Sequence, residues 1–432
     1  MKRKYIKELK AGERSKISGW VDKIREQKTM VFVVLRDRTG KVQITIEKDK
    51  QKEILSIISS ISRESVISCE GEIVVAPTVK LGGIEMIPTS IQVESIAEDL
   101  PIQEESSKDL KMDYRWLELR EEKQRLIFEI TTYAEYVMRS YLIEKGFIEI
   151  HTPKISSLSS EGGAEVFKVD YYGQKAYLTQ SPQLYKQMAI ASGFEKVFEI
   201  GPQYRAEKSY TARHAAESIA LDFEIAHIES HHELMDFEEE FFVYVLSKIK
   251  EKYGEIIYFV FGREVRIPEV KIPRIKLSQV FGIFEKYYGI TIPESEQLDL
   301  TPDQEKLICE YTSKYLGSEC VFITDYPAEA RAFYSKKIEG TYECMAFDFL
   351  YRGWEMNSAA VREHRYEKLK SQIKEKGIDS EKMKDYLEFF KYGCPSHGGI
   401  GFGIARFIAK LLELPSIKEA TFVFRGPSRI KP

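Results

Sequence analysis

The chain has 432 residues, of which 43% are hydrophobic and 12% aromatic, and its 64 Lys and Arg against 68 Asp and Glu give a formal net charge of -4. That length exceeds one compact core and implies at least two domains, while a mean hydropathy of -0.33 and the lack of any apolar run of about 18 residues exclude a helical membrane protein. The five cysteines (Cys69, Cys309, Cys320, Cys344, Cys394) form no CxxC pair, which argues against a structural zinc site or a disulfide framework. The start, MKRKYIKELKAGER, lacks the apolar core of a secretory signal. The expected address is therefore the cytoplasm, with no membrane partner. Net charge alone does not point to nucleic acid, but the first 50 residues are rich in Lys and Arg.

Residues 16–95 are short apolar–polar alternations, KISGWVDKI, MVFVVLRD, KVQITI, SVISCEGEIVV and EMIPTSIQVESI each reading as a strand, with turns at RTG and KLGG and a helical QKEILSIISSIS after the third. This is the pattern of a small closed Greek-key barrel of the OB type, expected over residues 1–97. Phe32 and Gln43 fall on neighbouring strands with Arg25 just before them. An aromatic to stack a base, an amide to read its edge and a guanidinium for a phosphate are the parts of a single-strand RNA reader.

Residues 98–123 are polar and charged and read as a hinge. Apolar residues then recur at helical spacing from Gln124 to Lys145 (Leu126, Ile127, Ile130, Tyr133, Val137, Tyr141), leading into a strand at GFIEIHTPKI that ends at Pro153. Beyond a glycine loop at Gly162 and Gly163 the pattern predicts a hairpin (FKVDYYGQKAYLTQ), a helix from about Ser181, and two long strands around Arg205 and Leu221. Consecutive hairpins with helices predict an α+β domain over 124–432 built on an antiparallel sheet. No G-x-G-x-x-G follows a first strand and no GKS or GKT is present, so neither a Rossmann nor a P-loop site is indicated. A helix is expected over His231–Tyr253, followed by a Pro- and charge-rich insertion at about 254–320 whose fold the pattern does not define. Strands are expected again at ECVFITDYP and AFYSKK.

The last quarter contains GWEMNSAAVREHR, a charged amphipathic stretch, and KYGCPSHGGIGFGIARF, read as a glycine-rich turn before an apolar helix. Arginines and an isolated Glu355 in a Gly-rich, largely apolar frame suggest a cleft for an anionic ligand. Three segments in order, GFIEIHTPKI, YRAEKSYTARH with the strand after it, and GIGFGIARF, resemble motifs 1, 2 and 3 of the class II aminoacyl-tRNA synthetases. The leading barrel, SEGGAEVF, TQSPQLYKQ and REHR are similar to the aspartyl branch of subclass IIb in its compact archaeal form. The resemblance spans nearly the whole chain.

It implies a ligase that activates L-aspartate with ATP and Mg²⁺ and charges tRNA(Asp), with tRNA(Asn) left open as a second partner, and that works as a homodimer built on motif 1. Forming an adenylate brings two anions together, so catalysis rests on neutralisation and positioning. The resemblance assigns catalysis to Arg205, Glu207 and Arg406. Arg205 would hold the α-phosphate and substrate carboxylate through its fork of donors. Glu207 would contact adenine, His214 the outer phosphates, and Arg406 the second face of adenine, with Arg213, Glu355, Gly401 and Gly403 completing the ATP site. Glu355 and Ser358 would hold Mg²⁺. Lys186 and Arg362 would grip the aspartate side chain, Glu161 and Gln183 its ammonium, and Arg25, Phe32 and Gln43 the anticodon.

Two cations facing a neutral amide would be left unpaired, which favours aspartate over asparagine. The chain departs from the family where Ala359-Ala360 replaces Gly-Gly, Ser218 replaces an adenine-stacking aromatic, and Ala405 stands where Glu is common. Asparaginyl-tRNA synthetase, a paralog that binds RNA or forms adenylate without charging tRNA, and a relative acting on free aspartate stand as the alternative readings.

Overall fold

The computed structural model describes residues 1–157, 165–208 and 211–432. The chain divides into two compact units, Met1–Leu117 and Glu118–Pro432. In the first unit, strands β1 (Arg14–Glu26), β2 (Met30–Asp37), β3 (Gly40–Glu47), β4 (Val66–Val75) and β5 (Ile84–Ser95) close a barrel in the order β1-β2-β3-β5-β4. Helix α1 (Lys52–Ile58) lies between β3 and β4 in the chain. The alternation along β1 buries every second side chain up to Val21. Ile17, Val33, Ile44, Ile67 and Met86 fill the interior, as a small barrel requires. Residues 98–123, expected as a plain hinge, carry two short helices, α2 (Lys108–Asp113) and α3 (Arg115–Glu118).

In the second unit α4 (Glu122–Glu144) is followed by β6 (Ile148–Glu149), β7 (Ile155–Ser156), the hairpin β8 (Lys168–Tyr171) and β9 (Gln174–Leu178), α5 (Gln183–Ala191), β10 (Lys196–Tyr204) and β11 (Glu217–Ala226). Next come α6 (His231–Phe261), β12 (Arg274–Lys276), α7 (Leu277–Tyr288), α8 (Pro302–Leu316), β13 (Cys320–Thr324), β14 (Ala346–Tyr351) and β15 (Trp354–Arg362). The last elements are α9 (Tyr366–Glu375), α10 (Lys384–Lys391), β16 (His397–Gly403) and α11 (Ile404–Leu411). Eight strands form one sheet in the order β12-β13-β14-β15-β16-β11-β10-β6. It is antiparallel through the middle, with a parallel strand at each edge. The small sheet β7-β9-β8 stands apart from it.

One face of the large sheet is apolar. Phe223, Phe347, Phe349, Val361 and Phe402 pack there with residues of α4, α6 and α11 in the main core. The other face carries the charges described below.

Several expectations change in three dimensions. The strand at GFIEIHTPKI is only two residues long, Ile148–Glu149, and ends well before Pro153. AFYSKK is no strand: its residues make only isolated bridges, Ser335 with Arg362 and Lys337 with Cys344. The helix from His231 continues to Phe261, capped by Gly262 at φ 68°. The insertion left undefined by its composition folds as β12, α7 and α8 around a core of its own, with Val280, Phe284, Ile308 and Val321.

The glycine run HGGIGFG is a central strand, β16, between β15 and β11, and not a turn. A Cβ at Gly399 would lie 2.1 Å from the Phe223 carbonyl and 2.3 Å from the Glu224 carboxylate, and one at Gly401 would lie 3.1 Å from Asp222 Oδ1. The glycines make room for the acidic side chains of the next strand.

Candidate active site

The charged face of the sheet holds a cavity of about 280 Å³. Its floor starts with two acids on β11, Asp222 and Glu224, which point to the same face because they are two apart. Lys186 on α5 meets both, at 3.0 Å and 3.3 Å, and donates to the Ile400 carbonyl at 3.0 Å. Arg362 at the end of β15 donates to Glu224 at 2.8 Å, to Gln183 Oε1 at 3.0 Å and to the Gly399 carbonyl at 3.0 Å. Gln203 donates to Asp222 Oδ2 at 2.5 Å.

The floor is thus a closed layer of two cations and two carboxylates. Burial works against the Glu224 charge, but Arg362 and Lys186 outweigh it and hold the carboxyl at about 2. Asp222 is pushed above its ordinary value by burial, against the pull of Lys186. Behind the floor His397 is driven to about 4 by burial. It accepts from Gln187 at 3.0 Å and donates from Nδ1 to the Pro395 carbonyl at 2.8 Å, while Tyr386 donates to Gln187 at 3.0 Å. This neutral chain backs α5.

Lys186 is enclosed beside the cavity. Its side chain is 0% exposed and is absent from the cavity lining, whereas Gln183, Asp222 and Arg362 line it. Its ammonium meets four acceptors, the Asp222 and Glu224 carboxylates and the Phe223 and Ile400 carbonyls. Ala359 lines the cavity and also packs in the main core. Ser358, Ala360 and Arg362, alternating along β15, face the site.

The rim carries the remaining expected residues. Arg205 follows directly on β10, its side chain 47% exposed and 3.8 Å from Glu207. Arg205 lines the cavity and Glu207 does not. Arg213 lines it too, but its guanidinium is paired with Glu305 of α8. His214, beside Thr211, is lowered by burial and then by Arg406, and is neutral at neutral pH. Arg406, in the first turn of α11, donates to the carbonyls of Glu355 at 3.1 Å and Arg213 at 3.3 Å and lies 3.6 Å from the Glu355 carboxylate. Gly401 and Gly403 line the wall, together with Ser218 and Ala405. No Phe or Trp lines the cavity among the described residues. Glu161, Gly162 and Gly163 lie outside the described residues.

Glu355 and Ser358, three apart, would face opposite sides of a regular strand. A bulge corrects this, since Leu350 pairs with Glu355 but Phe349 pairs with Asn357, leaving Met356 as the extra residue. Met356 and Asn357 both turn to the core, so Glu355 and Ser358 both face the cavity. Asp348 pairs with Ser358 across the ladder. Burial raises the Asp348 carboxyl to about 6, opposed by Arg331 and aided by Glu355. The Glu355 carboxyl, despite burial, is lowered by Arg406, Arg331, Arg213 and Arg205. Two carboxylates and a hydroxyl are hard oxygen donors, and Asp348 Oδ1 is buried without a hydrogen-bond partner. The set fits Mg²⁺, which takes few protein ligands and keeps several waters. No cage of three or more His, Cys, Asp or Glu occurs among the described residues.

Residue patterns missed Asp348, Asp222, Glu224 and Arg331. The three acids carry a readable signal, lone carboxylates inside otherwise apolar strands (AFDFLY and ALDFEIA), where an unpaired charge is too costly to be incidental. Arg331 carries none.

A larger groove, about 860 Å³, lies beyond the segment 327–335 and is bounded by α7, Lys337 and α9. It has mixed charges and none of the convergent guanidiniums, so the chemistry belongs to the smaller cavity.

On the barrel, Arg25 pairs with Phe32 across β1 and β2. Its guanidinium carbon lies 5.6 Å from the ring centre, and it donates to Gln43 Oε1 at 3.1 Å. The three residues expected to act together are therefore contiguous.

A closed five-stranded barrel and a mostly antiparallel sheet whose charged face gathers guanidiniums over buried carboxylates define a two-domain nucleotide-and-RNA enzyme class. Residues 107–424 match the tRNA synthetases class II (D, K and N), and residues 16–94 match the OB-fold nucleic acid binding domain. The chain belongs to the class II tRNA synthetases of the D, K and N family. It is 38% identical to the aspartate–tRNA(Asp/Asn) ligase of Aeropyrum pernix, over 99% of this chain and 97% of that one. It is 39% identical to the aspartate–tRNA(Asp) ligase of Pyrococcus furiosus, over 98% and 97%. Among solved structures it is similar to the asparaginyl-tRNA synthetase of Pyrococcus horikoshii complexed with asparaginyl-adenylate (TM-score 0.91, 29% identity, 100% of both chains). It is also similar to the aspartyl tRNA synthetase of Entamoeba histolytica (TM-score 0.87, 29% identity, 100% of this chain and 93% of that one).

Proposed function

We infer that this chain is an aspartate–tRNA ligase. It joins L-aspartate to ATP as aspartyl-adenylate, releasing pyrophosphate, and passes the aspartyl group to the 3′ end of tRNA(Asp). The observation that carries this reading is the convergence of Arg205, Arg362 and Arg406 on one cavity whose floor is a charge-balanced, buried layer. The aspartate names of the full-length relatives from Aeropyrum and Pyrococcus support it.

In the reaction an α-carboxylate oxygen attacks the α-phosphorus as the bond to the bridging oxygen of the leaving pyrophosphate breaks. Arg205, exposed at the rim, neutralises the two approaching anions. Arg406, anchored on two carbonyls, flanks the adenine, with Glu207, Arg213 and neutral His214 around the nucleotide. Gly401 and Gly403 keep the wall flat enough for the base. Asp348, Glu355 and Ser358 would hold Mg²⁺, which supplies charge neutralisation on the phosphates.

Because the floor already balances its charges, selection of aspartate rests on geometry as well as sign. The substrate side-chain carboxylate takes donors of Arg362 that now serve Gln183 and the Gly399 carbonyl, with Lys186 fixing the acids beneath. Asp222, Gln183 and Glu161 receive the ammonium. An amide would leave an Arg362 donor unpaired, which disfavours asparagine.

The barrel reads the anticodon through Arg25, Phe32 and Gln43, and tRNA(Asn) is a second substrate. The partner is a second copy related by a two-fold axis, consistent with Tyr136 and Ile143 of α4 and Ile148 of β6, which are 62%, 53% and 49% exposed. The place of action is the cytoplasm, in keeping with the lack of any membrane-spanning helix among the described residues.

The test is aspartate-dependent exchange of pyrophosphate into ATP, followed by aminoacylation of purified tRNA(Asp) and tRNA(Asn). Exchange with asparagine alone would sink the reading. The observations favouring that alternative are the neutral floor and the likeness to the Pyrococcus horikoshii enzyme.

A further inference from the structure

Arg331 follows a single 3-10 turn, Ala328–Ala330, and turns inward so that its side chain is 11% exposed. Its guanidinium carbon lies 3.5 Å from the ring centre of the buried Tyr326. Nη2 donates to Asp348 Oδ2 at 2.7 Å and Nη1 to Ser358 Oγ at 2.9 Å. One planar cation therefore spans two of the three oxygen donors, Ser358 in the cavity lining and the buried Asp348 beside it, on adjacent strands in direct register. Glu355 and Asp299 add negative charge around it. Any divalent ion on Asp348 and Ser358 would meet this positive charge within hydrogen-bond distance of the same oxygens, and like charges that close repel strongly in a poorly solvated site. Arg331 also lines the cavity, so phosphate oxygens entering there come within its reach.

We propose that Arg331 is a resident counter-cation that competes with a divalent ion for Asp348 and Ser358. It keeps the free site poor in metal until a metal–nucleotide complex offers Arg331 phosphate oxygens in exchange. The proposal rests on the reading of Asp348, Glu355 and Ser358 as the metal donors.

The experiment is a titration of the full-length, nucleotide-free protein with Mn²⁺, free ion being counted by its electron paramagnetic resonance signal. Arg331→Gln removes the charge and is expected to tighten Mn²⁺ binding at least about tenfold, or about 1.4 kcal/mol, while Arg331→Lys returns it toward the weak value. Asp348→Asn added to Arg331→Gln is expected to abolish the gain and so locate the ion. A merely structural role would loosen binding. Unchanged or weaker Mn²⁺ affinity in folded Arg331→Gln overturns the proposal. Arg331→Met, which keeps the apolar stem against Tyr326, is read the same way should the Gln variant fail to fold. The titration uses neither amino acid nor tRNA, so its failure leaves the result of the aspartate exchange assay standing.

Discussion

Each unit places an arginine against a glutamine, and the two pairs differ in almost everything else. In the catalytic unit Arg362 donates to Gln183 at 3.0 Å, and both side chains are buried. In the barrel Arg25 donates to Gln43 at 3.1 Å from an exposed position. Arg362 is also tied to Glu224 and stacked 5.2 Å from Tyr334, whereas Arg25 lies over the ring of Phe32 with no carboxylate partner among the described residues. A desolvated ion pair is rigid and strongly penalised when one partner is removed. An exposed guanidinium over an aromatic ring can reorient at little cost, as suits a surface that receives flexible nucleotides. The same two residue types thus make a fixed selector in one place and an adaptable reader in the other.

The largest effect that would test this contrast is Arg362→Ala. It strips Glu224 of its nearest cation inside the protein and is expected to cost roughly 3 kcal/mol of stability and about 10³-fold or more in aspartate-dependent exchange. Denaturant melts and exchange assays on one preparation check both, and a variant of normal stability would break the comparison.

Arg205→Ala, at the exposed rim, is expected to lower kcat by about 10²–10³ with the melting curve unmoved.

The third prediction contrasts two buried glutamates. Glu224, flanked by cations, is held at about 2. Glu238 on α6, whose partner among the described residues is Asn357, is raised by burial from 4.5 to about 8. Between those last two values the unfolded chain has lost a proton that the folded chain still binds. Stability due to Glu238 is therefore greatest at low pH and falls as pH rises, by roughly 3 kcal/mol between pH 4.5 and 7. Glu238→Gln is expected to remove that part of the slope, as measured by denaturation at pH 5 and pH 7.

The smallest effect is expected in the barrel, where Phe32→Ala or Arg25→Ala raises KM for tRNA about tenfold, in line with about 1–3 kcal/mol per stacked base. Exchange without tRNA should stay unchanged, and a drop there would mean the barrel supports the catalytic unit instead of reading RNA.

Local pattern determined a good deal of this protein by itself. The barrel strands and α4 follow from period-two and helical spacing, because burial of one face is a local property of a strand or helix. The ordered motifs around Arg205 and Arg406 were legible through their resemblance to a known family, since neither segment alone is distinctive.

What only the tertiary structure decided concerns partners distant in sequence. Lys186 reads as a surface or pocket lysine on α5, and only the approach of β11 shows that Asp222 and Glu224, some 36 and 38 positions on, capture it below the floor. The glycines of β16 read as a turn, and become a strand because those same acids need the space their Cβ atoms would fill. Glu355 and Ser358 reach one face only through the bulge at Met356. Arg331 meets Asp348 and Ser358 only when a 3-10 turn is folded against β14 and β15. Charge–charge contact and close packing depend on three-dimensional neighbours, and no periodicity along the chain encodes them.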